Sequence, residues 1–213
     1  HNQLWSWDIT WLPGPAKGFH FYLYLILDVF SRKIVGWEIH DEESAAHAAT
    51  LIRRTHLRED IRDKPLILHS DNGSPMKGAS MLETLYQLGV ATSFSRPRVS
   101  NDNAYSESIF KTCKYRPDYP YKGFLNIAKA RDWVLKFSHW YNVNHKHSGL
   151  KFVTPHQRHA GLAREVLAKR KDVYQQAKLR NPERWSGQTR NWELVDKVHL
   201  NPTRDRIEIE GVK

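Results

Sequence analysis

The chain has 213 residues, 40% of them apolar, with eight Trp, nine Tyr and eight Phe; this suits one ordinary domain, with room for an appendage, and excludes a disordered chain. No apolar run approaches the length of a membrane span, and the lone Cys113 excludes an internal disulfide and a Cys-based zinc site and fits a reducing compartment. The net charge of +10 is uneven: residues 1–95 hold 9 basic and 11 acidic side chains (−2), residues 96–159 hold 12 and 4 (+8), and residues 160–213 hold 12 and 8 (+4), so a polyanion is the natural partner.

The chain opens His1-Asn2-Gln3 without Met and reads as a fragment. Leu4 to Trp11 alternates and predicts a strand with Asp8 in its middle. Pro13-Gly14-Pro15 and Lys17-Gly18 turn the chain. Phe19 to Val29 is nearly all apolar, the mark of a strand buried on both faces, and Ser31-Arg32-Lys33 returns it into Ile34 to Ile39. These three strands predict an antiparallel meander. Glu43 to Leu57 has helical composition; Pro65 to His69 is a short strand ending at Asp71; Ser80 to Leu88 is a helix closed by Gly89; Val90 to Phe94 is a further strand. Asn103 to Lys114 predicts a helix capped by Asn101 or Asp102, ended by Pro117 and Pro120. Leu125 to Asn142 is a longer amphipathic helix in which Trp133, Phe137, Trp140 and Tyr141 form a core stripe. Thr154-Pro155 opens another helix, Leu162 to Leu179 a charged one, and Asn181-Pro182 breaks it. Arg206 to Glu210 alternates as a small β element. The sum is a mixed α/β sheet of five strands flanked by helices, with a core over residues 1–160 and a C-terminal helix and basic tail over 161–213.

Three acids stand out: Asp8 in Trp7-Asp8-Ile9-Thr10, Asp71 in His69-Ser70-Asp71-Asn72-Gly73-Ser74, and Glu107 in Asn101-Asp102-Asn103-Ala104-Tyr105-Ser106-Glu107-Ser108. Three converging carboxylates in a basic protein make a site for divalent metal and phosphodiester chemistry. Mg²⁺ takes hard oxygen ligands, and two ions about 3.5–4 Å apart serve the attacking and the leaving oxygen of a displacement. Asp8, mid-strand and most rigid, is assigned the bridging place, with Asp71 and Glu107 on one ion each. Asn72-Gly73 makes a tight turn that frees Asp71 from its strand.

Lys111 and Lys114 lie four and seven residues after Glu107 and share its helix face. Lys111 is expected to pair with Glu107 and touch DNA, and Lys114 to touch DNA. Arg96, Arg98 and Asn103 belong to a polar loop that leads into the Glu107 helix and orders on DNA. Asp102 competes with Glu107 as third ligand, but its place suits a helix cap better. Asp28 suits turn capping, and His69, His145 and His147 suit packing or phosphate contact rather than zinc.

The motifs resemble those of the DDE transposases in the insertion-sequence family numbered three, relatives of the retroviral integrases. Trp7-Asp8-Ile9-Thr10, the segment from Leu27 to Trp37, His69 to Ser74, and Asn101 to Thr112 with Lys114 carry the likeness. Tyr141-Asn142, His147-Ser148-Gly149-Leu150 and Thr154-Pro155 match the family's closing motif. Asn181 to Trp185 and Leu200-Asn201-Pro202 resemble a tail found in part of it. The family's N-terminal helix-turn-helix is not within these residues, and Asn72 and Pro75 depart from its usual second motif. The resemblance implies a ribonuclease-H-like core in which the first strand lies beside the fourth. It also implies Mg²⁺, replaceable by Mn²⁺, at two positions; cleavage and joining of DNA at transposon ends; an oligomer on paired ends; and a bacterial cytoplasmic, nucleoid-associated setting. A nuclease that only hydrolyses, or a non-catalytic DNA-binding relative, is the alternative.

Overall fold

The computed structural model describes residues 1–62, 64–96 and 102–200. Its centre is a five-stranded sheet in the order β3-β2-β1-β4-β5. The strands are β1 (Leu4–Pro13), β2 (His20–Asp28), β3 (Ile34–His40), β4 (Leu66–Ser70) and β5 (Val90–Phe94). β1, β2 and β3 form the expected antiparallel meander, and β4 and β5 run parallel to β1. The first strand thus lies beside the fourth.

Alternation along the strands builds two layers. From β2, Leu23, Leu25 and Leu27 enter a core with Ile109, Phe110 and Cys113 of α4 (Ala104–Lys114) and Val134, Phe137 and Tyr141 of α5 (Ile127–Val143). On the opposite face Tyr24 and Ile26 join Trp5 and Trp7 of β1, Leu51 and Ile52 of α1 (Ala45–Arg58), and Met81 and Leu85 of a helix at Ala79–Gln87. Covering both faces explains why β2 reads as a continuous apolar run.

Helix ends follow side-chain chemistry. Ser44 caps α1, Asn126 caps α5, and Thr154 with Gln157 forms a capping box on α6 (Pro155–His159). A four-residue helix, α2 (Ser74–Lys77), lies where only a turn was expected; with the Ala79–Gln87 helix as α3, the numbering runs to α7 (Ala163–Arg180). Asp102 does not cap α4: the N-cap is Asn103, which makes no side-chain cap bond. Asn101 and the Arg206–Glu210 element lie outside the described residues. No helix among the described residues is long and apolar enough to cross a membrane.

The closing motif is structural glue. Asn142 accepts a bond from Ile34 N at 2.9 Å and donates to Ile34 O at 3.0 Å, imitating a strand partner for β3. A third apolar cluster joins Leu150 and Val153 to Ala163 and Leu167 of α7 and to Trp192.

The loop before α5 closes on the end of β1. Phe124 N donates to Pro13 O at 2.8 Å, and a Cβ on Gly123 (φ +99°) would stand 2.0 Å from Gly14 O. Gly123→Ala is therefore expected to lower stability by about 2 kcal/mol or more. The denaturation midpoint reads this directly, and an unchanged midpoint contradicts it.

Candidate active site

Alternation gives β1 one polar stripe in an otherwise apolar layer. Trp5, Trp7 and Ile9 face α1 and α3; Ser6, Asp8 and Thr10 face the other way, under α4. β4 pairs with β1 as Leu4↔Ile67, Trp5↔Leu68 and Ser6↔His69. The same offset carried two residues further sets Asp71, just past the end of β4, level with Asp8. Glu107 stands exposed in the first turn of α4, one residue after Ser106, whose hydroxyl lies 2.7 Å from that of Ser6.

The acids influence one another electrostatically. Burial, and then the nearby charges of Asp71 and Glu107, push the Asp8 carboxyl up from 3.8 to about 7, against a hydrogen bond from Ile9 N that lowers it. Asp8 Oδ1 accepts that bond at 2.8 Å, and Asp71 Oδ1 accepts from Gly73 N at 2.9 Å. The tight turn expected after Asp71 is thus present, and it fixes one oxygen of the carboxylate. Among the described residues the second oxygens of Asp8 and Asp71, and the Glu107 carboxylate, have no hydrogen-bond or ion-pair partner. Nor are any three His, Cys, Asp or Glu side chains among them gathered closely enough to hold a metal ion. Mutual repulsion favours such spreading, and the hard oxygens and clustered negative charge are what a divalent cation takes.

The cations divide differently from expectation. Lys114 Nζ reaches the polar stripe and donates to Thr10 Oγ1 at 2.7 Å, two residues from Asp8; burial pulls its ammonium below the ordinary lysine value. Lys111 is exposed and, among the described residues, makes no ion pair with Glu107, so the expected pairing is absent. The Arg96 guanidinium is taken up by Asp102, with bonds of 2.8 and 3.0 Å plus one of 2.7 Å from Arg96 N, and it holds that carboxyl at about 2. This commitment removes Asp102 as a rival ligand. Asn103, assigned to DNA, is instead 5% exposed and uses both ends of its amide inside the protein. Arg98 lies outside the described residues.

The remaining candidates are structural. Asp28 sits opposite Trp5, while Leu25 is opposite Asp8, so Asp28 lies three ladder positions from Asp8, at the end of β2. There it accepts bonds from Asn2 N and Ser31 N, the turn-capping role, and also faces His159. His69 bonds Ser93 and the Asp102 carbonyl, and His147 accepts from Gly149 N. Ser6, Thr10, Ser106 and His159 were not singled out from sequence. The first three had a signal, the small polar residues alternating with Trp5, Trp7 and Ile9 and the one preceding Glu107; His159 had none.

Comparison with known proteins agrees with this geometry. Two integrase core domain models match, one over residues 1–100 and the other over 88–155. The transposase for insertion sequence element IS904 of Lactococcus lactis is 35% identical over 158 residues, 72% of this chain and 60% of that protein. Transposase InsF for insertion sequence IS3A of Escherichia coli is 30% identical over 157 residues, 73% of this chain and 53% of that protein. The chain thus spans a little over half the length of these curated relatives. Among solved structures, the HTLV-2 integrase catalytic core in complex with magnesium superposes with a TM-score of 0.53 at 19% identity, over 73% of this chain and 95% of that one. The Mos1 mariner transposase catalytic domain does so with 0.52 at 14%, over 64% and 69%. These likenesses establish the ribonuclease-H-like fold of integrase and transposase cores. Joined to the curated relatives and to the three acids on β1, β4's end and α4, they place the chain in the integrase-core family, among the DDE transposases of the insertion-sequence family numbered three.

Proposed function

We propose that the chain is the catalytic region of a transposase that cuts and joins DNA at the ends of an insertion sequence. The observation that carries this reading is the electrostatic influence of Asp71 and Glu107 on Asp8, whose carboxyl burial and those neighbouring charges raise to about 7. Asp8, Asp71 and Glu107 would be the catalytic residues and would hold two Mg²⁺ or Mn²⁺ ions, with Asp8 as the residue that could serve both. Bound there, divalent ions supply Lewis-acid activation of the attacking oxygen and charge neutralisation at the leaving one. The protein's own part is to hold three carboxylates on a rigid strand, a strand end and a helix.

The first step is attack of water on a phosphodiester at the transposon end; its P–O3′ bond breaks and a 3′-hydroxyl is freed. In the second, that hydroxyl attacks a phosphodiester of another strand, so one P–O bond forms and one breaks. Both are in-line displacements without a covalent enzyme intermediate. Lys114, which reaches the polar stripe from α4, and exposed Lys111 would hold the backbone of the reacting strand, with Arg98 and the loop carrying Arg96 as further DNA contacts. DNA ends and target DNA are the partners, engaged by a homo-oligomer on paired ends in the bacterial cytoplasm. Residues 1–160 are the catalytic unit and 161–213 its extension.

A labelled, pre-cut transposon-end oligonucleotide with Mn²⁺ tests the reading: joined products with the wild type and none with Glu107→Gln support it. Nicking without joining favours a hydrolase, and metal-independent products or an active Glu107→Gln contradict the proposal. A second expectation concerns Lys114. Lys114→Ala should weaken DNA binding and reduce the slope of log K against log[salt] by about 1. An unchanged slope removes Lys114 from the DNA interface.

A further inference from the structure

We infer that Ser6 and His69, the residues paired across β1 and β4 two positions before Asp8 and Asp71, form a latch that sets the rotation of α4 and hence the place of Glu107. The inference rests on the reading of the three carboxylates as a divalent-metal site. Ser6 and His69 are positioning residues in it, acting through the start of α4.

The hydrogen bonds run in one direction. Ser6 Oγ lies 2.6 Å from Asn103 Oδ1, an acceptor, so the single Ser6 hydroxyl proton goes there. Ser106 Oγ, 2.7 Å from Ser6 Oγ, must then be the donor of the second bond. Asn103 Nδ2 reaches Trp7 O at 3.4 Å, returning to β1. On β4, His69 Nε2 lies 3.1 Å from the Asp102 carbonyl, which can only accept, so Nε2 carries the proton and Nδ1 accepts from Ser93 Oγ at 3.0 Å. The residues just before Glu107 are therefore tied to both strands that carry the other two acids. Ser6 and Ser106 are fully buried (0% exposed), so water does not replace these bonds.

Apart from the flexible Lys114 side chain, which reaches Thr10 from the last turn of α4, the helix meets the sheet without such directionality. Ile109, Phe110 and Cys113 pack into the core through apolar contacts, which resist separation more than rotation. One residue of rotation about the helix axis, about 100°, would swing Glu107 away from Asp8. The polar latch supplies the angular definition that apolar packing lacks.

Binding of Mn²⁺ alone to the full chain, followed by the electron paramagnetic resonance of free Mn²⁺, tests this without catalysis. Ser6→Ala, which removes both bonds, should raise the dissociation constant about tenfold. Ser106→Ala should raise it less, and the double variant no further than Ser6→Ala, because both act on one chain of bonds. Ile109→Val trims α4's apolar packing with the latch intact and should stay within twofold of wild type. Melting curves check that each variant is folded; Ser106→Ala keeps the Ser6–Asn103 bond and carries the test if Ser6→Ala does not fold. Wild-type affinity in both Ser variants, or equal weakening in Ile109→Val, overturns the latch. If wild type and Asp8→Asn bind Mn²⁺ alike, the carboxylate reading itself falls, and the latch with it.

Discussion

Asp8→Asn should reduce metal-dependent joining by at least about 10³-fold and, at the same time, make the metal-free protein more heat-stable above pH 7. The two effects share one cause. Burial and the charge of Asp71 raise the Asp8 carboxyl from 3.8 to about 7. An acid with a raised folded value binds its proton more tightly folded than unfolded, so stability falls as pH rises from near 4 through 7 and stays lowered above. The shift corresponds to at most about 4 kcal/mol, shared among coupled carboxylates. Asn carries no charge and escapes that loss. The melting-temperature advantage of Asp8→Asn should therefore widen between pH 5 and pH 8 in the presence of a chelator. Adding Mn²⁺ should raise the melting temperature of the wild type and leave the variant unmoved. An advantage independent of pH would mean that Asp8 does not sit in the field of its neighbours.

His159→Ala should cost about 3 kcal/mol near pH 6, because it takes the ion-pair partner from buried Asp28 and leaves Glu59 paired with Lys33 alone among the described residues. His159 Nε2 lies 2.9 Å from Glu59 Oε2, and Nδ1 lies 3.0 Å from Ser31 Oγ and 3.5 Å from Asp28 Oδ2. Ser31 spends its proton on Asp28, so His159 donates from both ring nitrogens, which requires the imidazolium. Burial alone would pull His159 down, but the bonds to Asp28 and Glu59 outweigh it and hold it above 6.5. Burial likewise pushes Asp28 and Glu59 up, and their hydrogen bonds outweigh it, leaving Asp28 below 3.8 and Glu59 at about 2. The histidine's contribution is complete below 6.5 and is lost as pH rises through its raised value. Those of the two acids are complete above about 4.5 and are lost as pH falls through their depressed values. The gap between wild type and His159→Ala should thus be widest between about pH 4.5 and 6.5 and shrink toward pH 9. A flat gap, or a loss under about 1 kcal/mol, argues against a charged bridge. The cluster matters to the whole chain because it ties α6 to the β2–β3 turn and to the end of α1. Arg158 beside it bonds Phe30 O and Val195 O, joining the segment after α7 to the core.

Sequence legibility followed the range of the interactions involved. β5 begins and ends at Val90 and Phe94 as its composition indicated, and β2 announced itself because both its faces are buried. The three acids were legible from local motifs. The placing of Asp71 level with Asp8 depends on β1–β4 pairing between residues 63 apart in the chain, and only the family resemblance anticipated that neighbour relation. The cap of α4 was misassigned because Asn101, Asp102 and Asn103 are equally suited by type. The choice is made by Arg96 seizing Asp102, a contact outside any helix pattern. Asn103 was given to DNA for want of knowing that Ser6, nearly a hundred residues earlier, would claim its amide. α2 escaped notice because four residues opening on Ser74-Pro75, with no side-chain cap bond, leave no periodicity to read. The pairing of His159 with Asp28 and Glu59 spans three separate elements and had no sequence signature at all.

The central claim is that Asp8, Asp71 and Glu107 are one divalent-metal site. Anomalous diffraction from crystals of this chain soaked in Mn²⁺ tests it most directly. The account predicts a manganese peak within about 2.0–2.3 Å of Asp8 and Asp71 oxygens, lost in Asp8→Asn, with Glu107 turned toward it or toward a second peak sharing Asp8. Manganese bound elsewhere while the three carboxylates stay bare would contradict it.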